Sequence, residues 1–380
     1  MALGLPLFWA VRGARDEPER VRQNVRFAHE QGGDFLRIFA DTTDWSAIRC
    51  ADGSVRDRCT DPRWPEFLSL LRTTRDLCWD TGVRVAWTLF GGNQLSPDEQ
   101  WHCLEDAIVM ADERPETVMA FEISNEGNGF KDADGPARTR AMCEVIARHG
   151  YPVTLTSAAH APAGLYAGSA ATFANVHFDR QDGDNGWRWV RQPWGYPGEY
   201  EPVPFAFGTL EPGGPGASVH SDMDPLRIAM AAVHTWLCGG GIHVVHCGAG
   251  IYGVPATHPT AGTRAANLWE QPALSEAMAL LRGHREQLPT DLPNWTRTRH
   301  GNNDHPFSFP FDATLDKFTT VGDLAIDRGQ GCVRAYAAYR GGRFVCVPVG
   351  VMDHMDLVPQ RATAGLTLTE RAVILQGEYR

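Results

Sequence analysis

Short β-rich runs alternate with amphipathic stretches over about the first 290 residues, and this alternation constrains the fold more than any other feature. Several of the runs are almost wholly apolar, as strands buried on both faces of a parallel sheet are. A strand followed by a helix or a long loop, repeated along the chain, is typical of βα units. The predicted strands are Leu5–Val11, Asp34–Ala40, Val83–Phe90, Thr117–Ser124, Pro152–Ser157, Phe173–Phe178, Val203–Leu210 and Gly241–Cys247.

Apolar residues at helical spacing fill most of the intervals between these strands. The predicted helices are Pro18–Gln31, Pro65–Asp80, Pro97–Ala111, Ala137–His149, Pro225–Cys238 and Leu274–Gln287. Eight strands with helices mostly between them predict an α/β fold, the (β/α)8 TIM barrel, which commonly takes about 250 residues. A doubly wound open sheet is the alternative, but no Gly-x-Gly-x-x-Gly follows the first strand to support its nucleotide-binding version.

The pattern changes after about residue 300, where no helical period is visible. Three strands are predicted in this part, at Val333–Tyr339, Arg343–Val349 and Ala372–Tyr379, with Gly341-Gly342 as a hairpin turn between the first two. We therefore predict two domains. Residues 1–298 form the barrel, and residues 299–380 form a small all-β, sandwich-like domain.

Charge and cysteine content limit the partners and the compartment. The net charge of −11 argues against a nucleic-acid groove or binding to an anionic membrane surface. No segment approaches the roughly 20 continuous apolar residues of a membrane helix. The apolar start lacks a basic region and a small-residue cleavage site, so we predict a first strand and no signal peptide. Nine scattered cysteines favour free thiols over a Cys50–Cys59 pair. A cytoplasmic or particle-borne protein, or the mature fragment of an exported one, fits this pattern, and the oligomeric state stays open.

Two predicted strands end in carboxylates. The fourth is followed directly by Asn125-Glu126, and the seventh is followed directly by Glu211. In a barrel the carboxyl ends of the strands carry the functional residues. Glycosidic cleavage needs one carboxylic acid to protonate the leaving oxygen and a second carboxylate to attack or stabilise the anomeric carbon. The amide of Asn125 could also hydrogen-bond a sugar hydroxyl.

The run Phe121-Glu122-Ile123-Ser124-Asn125-Glu126 resembles the strand-four signature of clan A glycoside hydrolases, particularly the family 5 barrels of cellulase and mannanase type. This resemblance implies that Glu126 is the acid/base, Asn125 its amide partner and Glu211 the nucleophile. Arg37 resembles the clan's strand-two arginine, which lies beneath the nucleophile and keeps it ionised. His177 ends the sixth strand, where the clan often carries a histidine near the nucleophile.

The chain departs from the family 5 pattern at three strand ends. The third strand ends in Gly91-Gly92, where family 5 members often have a histidine. The eighth strand ends in His246-Cys247 and lacks the tryptophan that the clan often places under the sugar. Glu211 is followed by Pro-Gly-Gly-Pro instead of the more usual aromatic-Gly or Gly. These departures leave the subfamily and the substrate open.

Each of these polar residues also has a structural interpretation. Glu122 should point into the barrel and pair with Arg37 or another cation, because an unpaired buried carboxylate is costly. Arg37 could serve only as that partner, and His177 could be a core histidine. Asp41 could bind a sugar hydroxyl or cap the turn that follows it.

One pair of histidines has the spacing of half a metal site. His243 and His246 are three residues apart on a predicted strand, so they face opposite sides and we expect no shared metal.

An aromatic loop follows the sixth predicted strand. Aromatic faces stack on the C–H faces of pyranose rings, so this loop predicts sugar subsites, although some of its rings could form a small core beneath it. The residues concerned are Trp187, Trp189, Trp194 and Tyr196.

The function predicted from the sequence is therefore a retaining glycoside hydrolase that needs neither metal nor cofactor and acts on a carbohydrate substrate. Its two carboxyl groups should lie about 5–5.5 Å apart. One alternative is a catalytically inactive carbohydrate-binding or adhesion protein on the same barrel. Another is a metal-dependent barrel hydrolase, which would normally show His-x-His at the end of the first strand, where this chain has Trp9-Ala10-Val11-Arg12.

Overall fold

The fold is described from a computed structural model. In the first part of the chain it describes residues 1–45, 48–49, 53–127, 130–157, 163–177, 206–216, 223–237, 240–254, 256–258, 262–286 and 288–291. In the last part it describes residues 296–297, 318–321, 324–327, 333–340, 343–350, 357–359 and 375–378.

Eight parallel strand positions within the described residues form a barrel. The strands are β1 Ala2–Pro6, β2 Phe35–Asp41, β3 Arg84–Phe90, β4 Val118–Ser124, β5 in two short segments Val153–Thr154 and Thr156–Ser157, β6 Phe173–Val176, β7 Ala206–Thr209 and β8 Gly240–Val244. The two segments of β5 close the barrel, because the first pairs with β4 and the second pairs with β6. The strand order around the barrel follows the chain order, and β8 pairs with β1. The predicted (β/α)8 fold is confirmed.

Helices cover the outside of the barrel, mostly where the apolar period predicts them. The described helices are Ala10–Asp16, Pro18–Glu30, Phe67–Trp79, Pro97–Glu113, Gly135–Arg148, Ala163–Tyr166, Pro225–Leu237, Gly248–Tyr252 and Pro272–Arg285, with single 3₁₀ turns at Pro115–Thr117, Asn125–Gly127 and Leu268–Glu270. The helix Pro97–Glu113 begins with a capping box, in which Ser96 accepts from the backbone N–H of Glu99 and Glu99 accepts from that of Ser96. No helix in the described residues is both long and apolar enough to cross a membrane.

The first predicted strand, Leu5–Val11, is wrong in its position. Strand β1 ends at Pro6, and the buried residues that follow begin the helix Ala10–Asp16. A run that is apolar on every side suits a buried helix as well as a buried strand, so its pattern alone does not decide between them. The indole Nε1 of Trp9 donates to the carbonyl of Ala249 (3.0 Å) and fixes the start of this helix beside the short helix Gly248–Tyr252 that follows β8.

The last part of the chain contributes antiparallel strands. The pair Val333–Arg340 and Arg343–Gly350 confirms the predicted hairpin partners, and Leu375–Glu378 adds to the second of them. A separate group consists of Phe318–Val321, Leu324–Asp327 and Leu357–Pro359. Short strands elsewhere in the described residues are Ile48–Arg49, Val55–Arg56, Ala256–His258, Gly262–Arg264 and Thr296–Arg297.

The division into domains at residue 298 stays a prediction.

Candidate active site

A buried arginine lies at the centre of the barrel's carboxyl end. Arg37 is on β2, and its side chain is fully buried. Its Nη1 donates to Oε2 of Glu211 (2.9 Å), and its Nη2 donates to Oε2 of Glu122 (2.6 Å) and to Oδ1 of Asn125 (2.8 Å). The predicted contact between Arg37 and Glu211 is therefore confirmed. One guanidinium uses its planar fork of donors to contact carboxylates from two strand ends, Glu122 on β4 and Glu211 after β7.

Glu122 is the deepest carboxylate of the site and is only 1% exposed. Besides Arg37, its partners are the hydroxyls of Thr88 and Thr156 and the amide of Asn175 (2.7 Å). Burial opposes its charge, but the ion pair with Arg37 outweighs that effect and lowers the pKa of Glu122 to about 2. The predicted structural pairing of Glu122 with Arg37 is confirmed.

Glu126 leaves the strand and enters a turn. Its backbone is left-handed, with φ 52° and ψ 31°, and it is the one non-glycine residue with positive φ in the described part of the chain. Such a conformation costs on the order of 1–3 kcal/mol, and residues that adopt it cluster at functional sites. The turn places the carboxylate beyond the end of β4, where the side chain is 31% exposed, whereas Glu122 lies four residues earlier on the strand and is 1% exposed.

Glu211 follows β7 and is almost covered, with 9% of its side chain exposed. Three basic side chains surround its carboxylate. Arg37 contacts Oε2 as described, Nδ1 of His177 lies 3.6 Å from the same oxygen, and Nε2 of His246 lies 3.9 Å from Oε1. Side chains from β2, from the end of β6 and from the segments after β7 and β8 therefore converge here, and the charge of Arg37 is the fixed counter-charge of Glu211.

His177 joins the three carboxylates. Its Nδ1 lies 3.1 Å from Oε1 of Glu126, and its Nε2 lies 3.5 Å from Oε1 of Glu122. Burial alone would favour the neutral ring, but the charge of Glu211 and the contacts with Glu122 and Glu126 prevail and raise the pKa of His177 above its usual value. The histidine therefore lies near both carboxylates that the sequence singled out.

Glu126, His177 and Glu211 form one compact cluster. One carboxylate oxygen from each glutamate and a ring nitrogen of His177 all lie within 4.8 Å of one another. Three such ligands could in principle hold a divalent cation. Arg37, however, already places a fixed positive charge 2.9 Å from Glu211, which opposes a second cation on the same carboxylate.

Asn125 and Asn175 complete the polar network. The carbonyl of the Asn125 side chain accepts from Arg37, which leaves its NH₂ group to donate elsewhere. Asn175 donates to Glu122 and accepts from the backbone N–H of Leu210 (3.0 Å), so it ties β6 to the segment that carries Glu211. The sequence analysis missed Asn175. A polar residue inside the apolar run Phe173–Val176 was the available signal.

Asp41 lies at the end of β2 and is 1% exposed. Its carboxylate accepts from the backbone N–H of Thr43 (2.9 Å) and of Gly92 (3.3 Å), so it joins the turns that follow β2 and β3. Burial raises the pKa of Asp41 to about 7 against these hydrogen bonds. Its role in substrate binding stays a prediction.

The predicted stacking residues Trp187, Trp189, Trp194 and Tyr196 lie outside the described residues, as does Cys50.

No protein-family model matches the chain, and no curated protein matches it. Solved structures do match. A glycoside hydrolase family 5 structure from Bacteroides vulgatus is similar over 100% of this chain and 89% of its own, with a TM-score of 0.58 at 9% identity. The chain therefore shares the (β/α)8 barrel fold of that structure.

Two further solved structures share this (β/α)8 barrel fold. A family 5 subfamily 18 structure from Streptomyces cattleya, in complex with GlcNAc, matches 76% of this chain and 81% of its own, with a TM-score of 0.52 and 14% identity. A noncanonic maltogenic α-amylase from Thermotoga neapolitana matches 99% of this chain and 95% of its own, with a TM-score of 0.51 and 10% identity. At identities this low, the similarity shows a common fold and does not show a common chemistry.

Proposed function

We propose that this protein is a retaining glycoside hydrolase that cleaves O-glycosidic bonds in an oligosaccharide, a polysaccharide or a glycoconjugate. Glu211 is the nucleophile and Glu126 is the acid/base. The observation that carries the proposal is the approach of their carboxylate oxygens to within 4.8 Å. Carboxyl groups about 5–5.5 Å apart are typical of retaining enzymes, whereas inverting enzymes need about 6.5–9.5 Å to admit a water.

In the first step Glu211 attacks the anomeric carbon while Glu126 donates its proton to the leaving glycosidic oxygen. The bond from the anomeric carbon to that oxygen breaks, and an ester bond to Glu211 forms. The ion pair of Glu211 with Arg37 supports this assignment, because a nucleophile must be ionised before it attacks. The greater exposure of Glu126 supports its role in proton exchange with the leaving group and with water.

In the second step Glu126 removes a proton from an incoming water, and the oxygen of that water attacks the anomeric carbon. The ester bond breaks, Glu211 regains its charge, and the sugar leaves with its original configuration. His177 lies 3.1 Å from Glu126 and 3.6 Å from Glu211, so it can stabilise the charge on either glutamate as that charge changes. Neither step needs a cofactor.

A carbohydrate substrate agrees with the amide of Asn125, which is oriented by Arg37 and can donate to a sugar hydroxyl. It also agrees with the neighbours in fold, which include family 5 glycoside hydrolases and one complex with GlcNAc. The particular sugar and the linkage follow from neither observation.

A screen of aryl glycosides and polysaccharides tests the proposal, with wild type beside Glu126→Ala and Glu211→Ala. Glu116→Ala is a matched control, because Glu116 is an exposed glutamate at the opposite end of β4. We expect both site variants to lose at least about 10³-fold in kcat/KM and the control to keep wild-type activity. Equal activity in all four proteins would overturn the proposal. Sugar binding without turnover in wild type would favour the inactive carbohydrate-binding protein instead.

A further inference from the structure

Two buried side chains hold the backbone of the residue that precedes Glu211. Asn175 on β6 is completely buried, and its Oδ1 accepts from the backbone N–H of Leu210 (3.0 Å). The carbonyl oxygen of Leu210 accepts from Nη1 of Arg37 (3.3 Å). Both backbone polar groups next to the proposed nucleophile are therefore bound by side chains from other strands.

The contact with Asn175 lies where β7 leaves the sheet. In register, Asn175 is opposite Gly208, and β7 ends at Thr209. The pairing of β7 with β8 shifts register immediately before Gly208. A shift of this kind bends a strand and disrupts its regular pairing. The side chain of Asn175, in place of a strand carbonyl, therefore accepts the N–H of Leu210 one residue before Glu211.

The orientation of the Asn175 amide is fixed by its partners. Its Nδ2 lies 2.7 Å from Oε1 of Glu122 and 2.8 Å from Oγ1 of Thr156. An ionised carboxylate can only accept a hydrogen bond and a backbone N–H can only donate one, so Nδ2 has to face Glu122 and Oδ1 has to face Leu210. An exchange of the two ends of the amide would break both contacts.

Asn175 thus connects the strand of the proposed acid/base with the segment of the proposed nucleophile. Glu122 is on β4, the strand that leads to the acid/base, and its Oε1 binds Asn175 while its Oε2 binds Arg37. Each of these two partners also holds Leu210. One deep carboxylate therefore anchors both side chains that hold the backbone before Glu211.

We propose that Asn175 is a positioning residue, which sets the place of Glu211 relative to Glu126 through the backbone of Leu210. The inference rests on the proposed function, which needs the two carboxyl groups about 5–5.5 Å apart. A misplacement of reacting groups by about 1 Å can lower a rate about 10²-fold. Asn175 itself takes no proton and forms no covalent bond, so it affects the steps in which Glu211 forms and breaks its ester bond.

Asn175→Val tests this role, with Thr154→Val as the matched control. The first variant removes both contacts of the amide and places an apolar residue that suits a strand. Thr154 on β5 is also completely buried, and its Oγ1 donates to the carbonyl of Phe173 on β6 (2.8 Å). Both variants therefore lose a buried hydrogen bond to β6, whereas the contacts with Glu122 and Leu210 are lost in Asn175→Val alone.

Hydrogen exchange at the Leu210 amide tests the contact without any substrate. The amide can be followed by NMR in ¹⁵N-leucine-labelled protein and assigned by its absence in Leu210→Met. We expect it to exchange at least about tenfold faster in Asn175→Val than in Thr154→Val. Equal exchange in the two variants would overturn the inference.

Kinetics on an aryl glycoside that wild type cleaves test the effect on the reaction, after circular dichroism shows that each variant is folded. We expect Asn175→Val to lower kcat at least about tenfold with KM within about threefold of wild type. Thr154→Val should keep kcat within about twofold of wild type. Asn175→Ser, whose hydroxyl is too short to reach both partners, is the second variant and should change kcat in the same direction. A wild-type kcat in both Asn175 variants would contradict the positioning role.

Azide rescue of Glu211→Ala shows whether Asn175 acts through the nucleophile. Azide then makes the attack, so the place of residue 211 no longer limits bond formation. We expect the rescued rate of Glu211→Ala to be the same within about twofold with and without Asn175→Val. A rescued rate that falls as much as wild-type activity does would overturn the inference, because Asn175 would then act on Glu126 or on the whole fold. Faster exchange at Leu210 in Asn175→Val beside a wild type that cleaves no glycoside would instead contradict the proposed function.

Discussion

Arg37 donates to Glu211 at 2.9 Å and to Glu122 at 2.6 Å, so one buried guanidinium joins the proposed nucleophile to the deepest carboxylate of the barrel. The two carboxylates reach it from different strand ends, Glu122 from β4 and Glu211 from the segment after β7. The proposed reaction requires the negative charge of Glu211, and the protein interior must neutralise the negative charge of Glu122. Both therefore depend on Arg37.

Replacement of this cation should damage stability as well as activity. Arg37→Met leaves two buried carboxylates without their shared partner, and breaking a buried ion pair costs about 3–5 kcal/mol. We expect a loss of that size in urea denaturation and no measurable turnover. Arg72→Met removes an arginine that pairs with Glu113 on the protein surface and should leave the urea midpoint nearly unchanged. Similar midpoints for Arg37→Met and wild type would contradict the role assigned to Arg37.

The charge of Glu122 should appear in the acid stability of the protein. Its folded-state pKa is about 2, below the ordinary value of 4.5, so its contribution is present above about pH 4.5 and is lost as the pH falls toward 2. Glu122→Gln should be less stable than wild type at pH 7, and the difference should shrink between pH 4.5 and 2. Denaturation at several pH values measures this. A constant difference would show that the carboxylate charge of Glu122 does not matter.

Asp41 should have the opposite pH dependence. Its folded-state pKa of about 7 lies above the ordinary 3.8, so the folded protein keeps a proton that the unfolded chain releases. This site therefore stabilises the fold most below about pH 4, and the contribution falls as the pH rises to about 7. Asp41→Asn should remove that decline in thermal denaturation. A decline unchanged in the variant would contradict the assignment, and a raised KM in the same variant would favour the sugar-binding role.

Much of the barrel could be predicted because buried parallel strands are recognisable as apolar runs. Strands β2 to β8 fall where the sequence predicts them, within a few residues at each end. The meeting of Arg37 and Glu211 was predictable as well, since strand carboxyl ends converge at one face of a barrel. The helix near the start of the chain was not predictable, because the apolar residues that precede Arg12 are compatible with a buried helix and with a buried strand.

The lower layer of the site was harder to predict. Thr156 and Asn175 contact Glu122 across neighbouring strands, and such contacts depend on register, which one strand's pattern does not fix. The approach of His246 to Glu211 depends on the absence of a side chain at Gly214, a tertiary contact that no local pattern describes. The left-handed backbone of Glu126 could not be predicted from the sequence either, because glycine is the residue that normally adopts that conformation.

Metal removal should leave the activity unchanged. Although Glu126, His177 and Glu211 lie close enough to share an ion, the guanidinium of Arg37 opposes a cation beside Glu211. We expect dialysis against EDTA to leave kcat/KM within about twofold of the untreated protein. Loss of activity with EDTA and its recovery with Zn²⁺ or Mn²⁺ would favour the metal-dependent hydrolase.

Azide rescue of Glu211→Ala tests the central assignment most directly. On an activated aryl glycoside that wild type cleaves, azide can enter the space left by the carboxylate, attack the anomeric carbon and displace the aryl group. If Glu211 is the nucleophile, the product is a glycosyl azide of inverted configuration, while Glu126→Ala with azide gives the retained configuration through the ester on Glu211. Nuclear magnetic resonance of the anomeric proton distinguishes the two products. A glycosyl azide of retained configuration from Glu211→Ala, or wild-type hydrolysis by that variant without azide, would contradict the account.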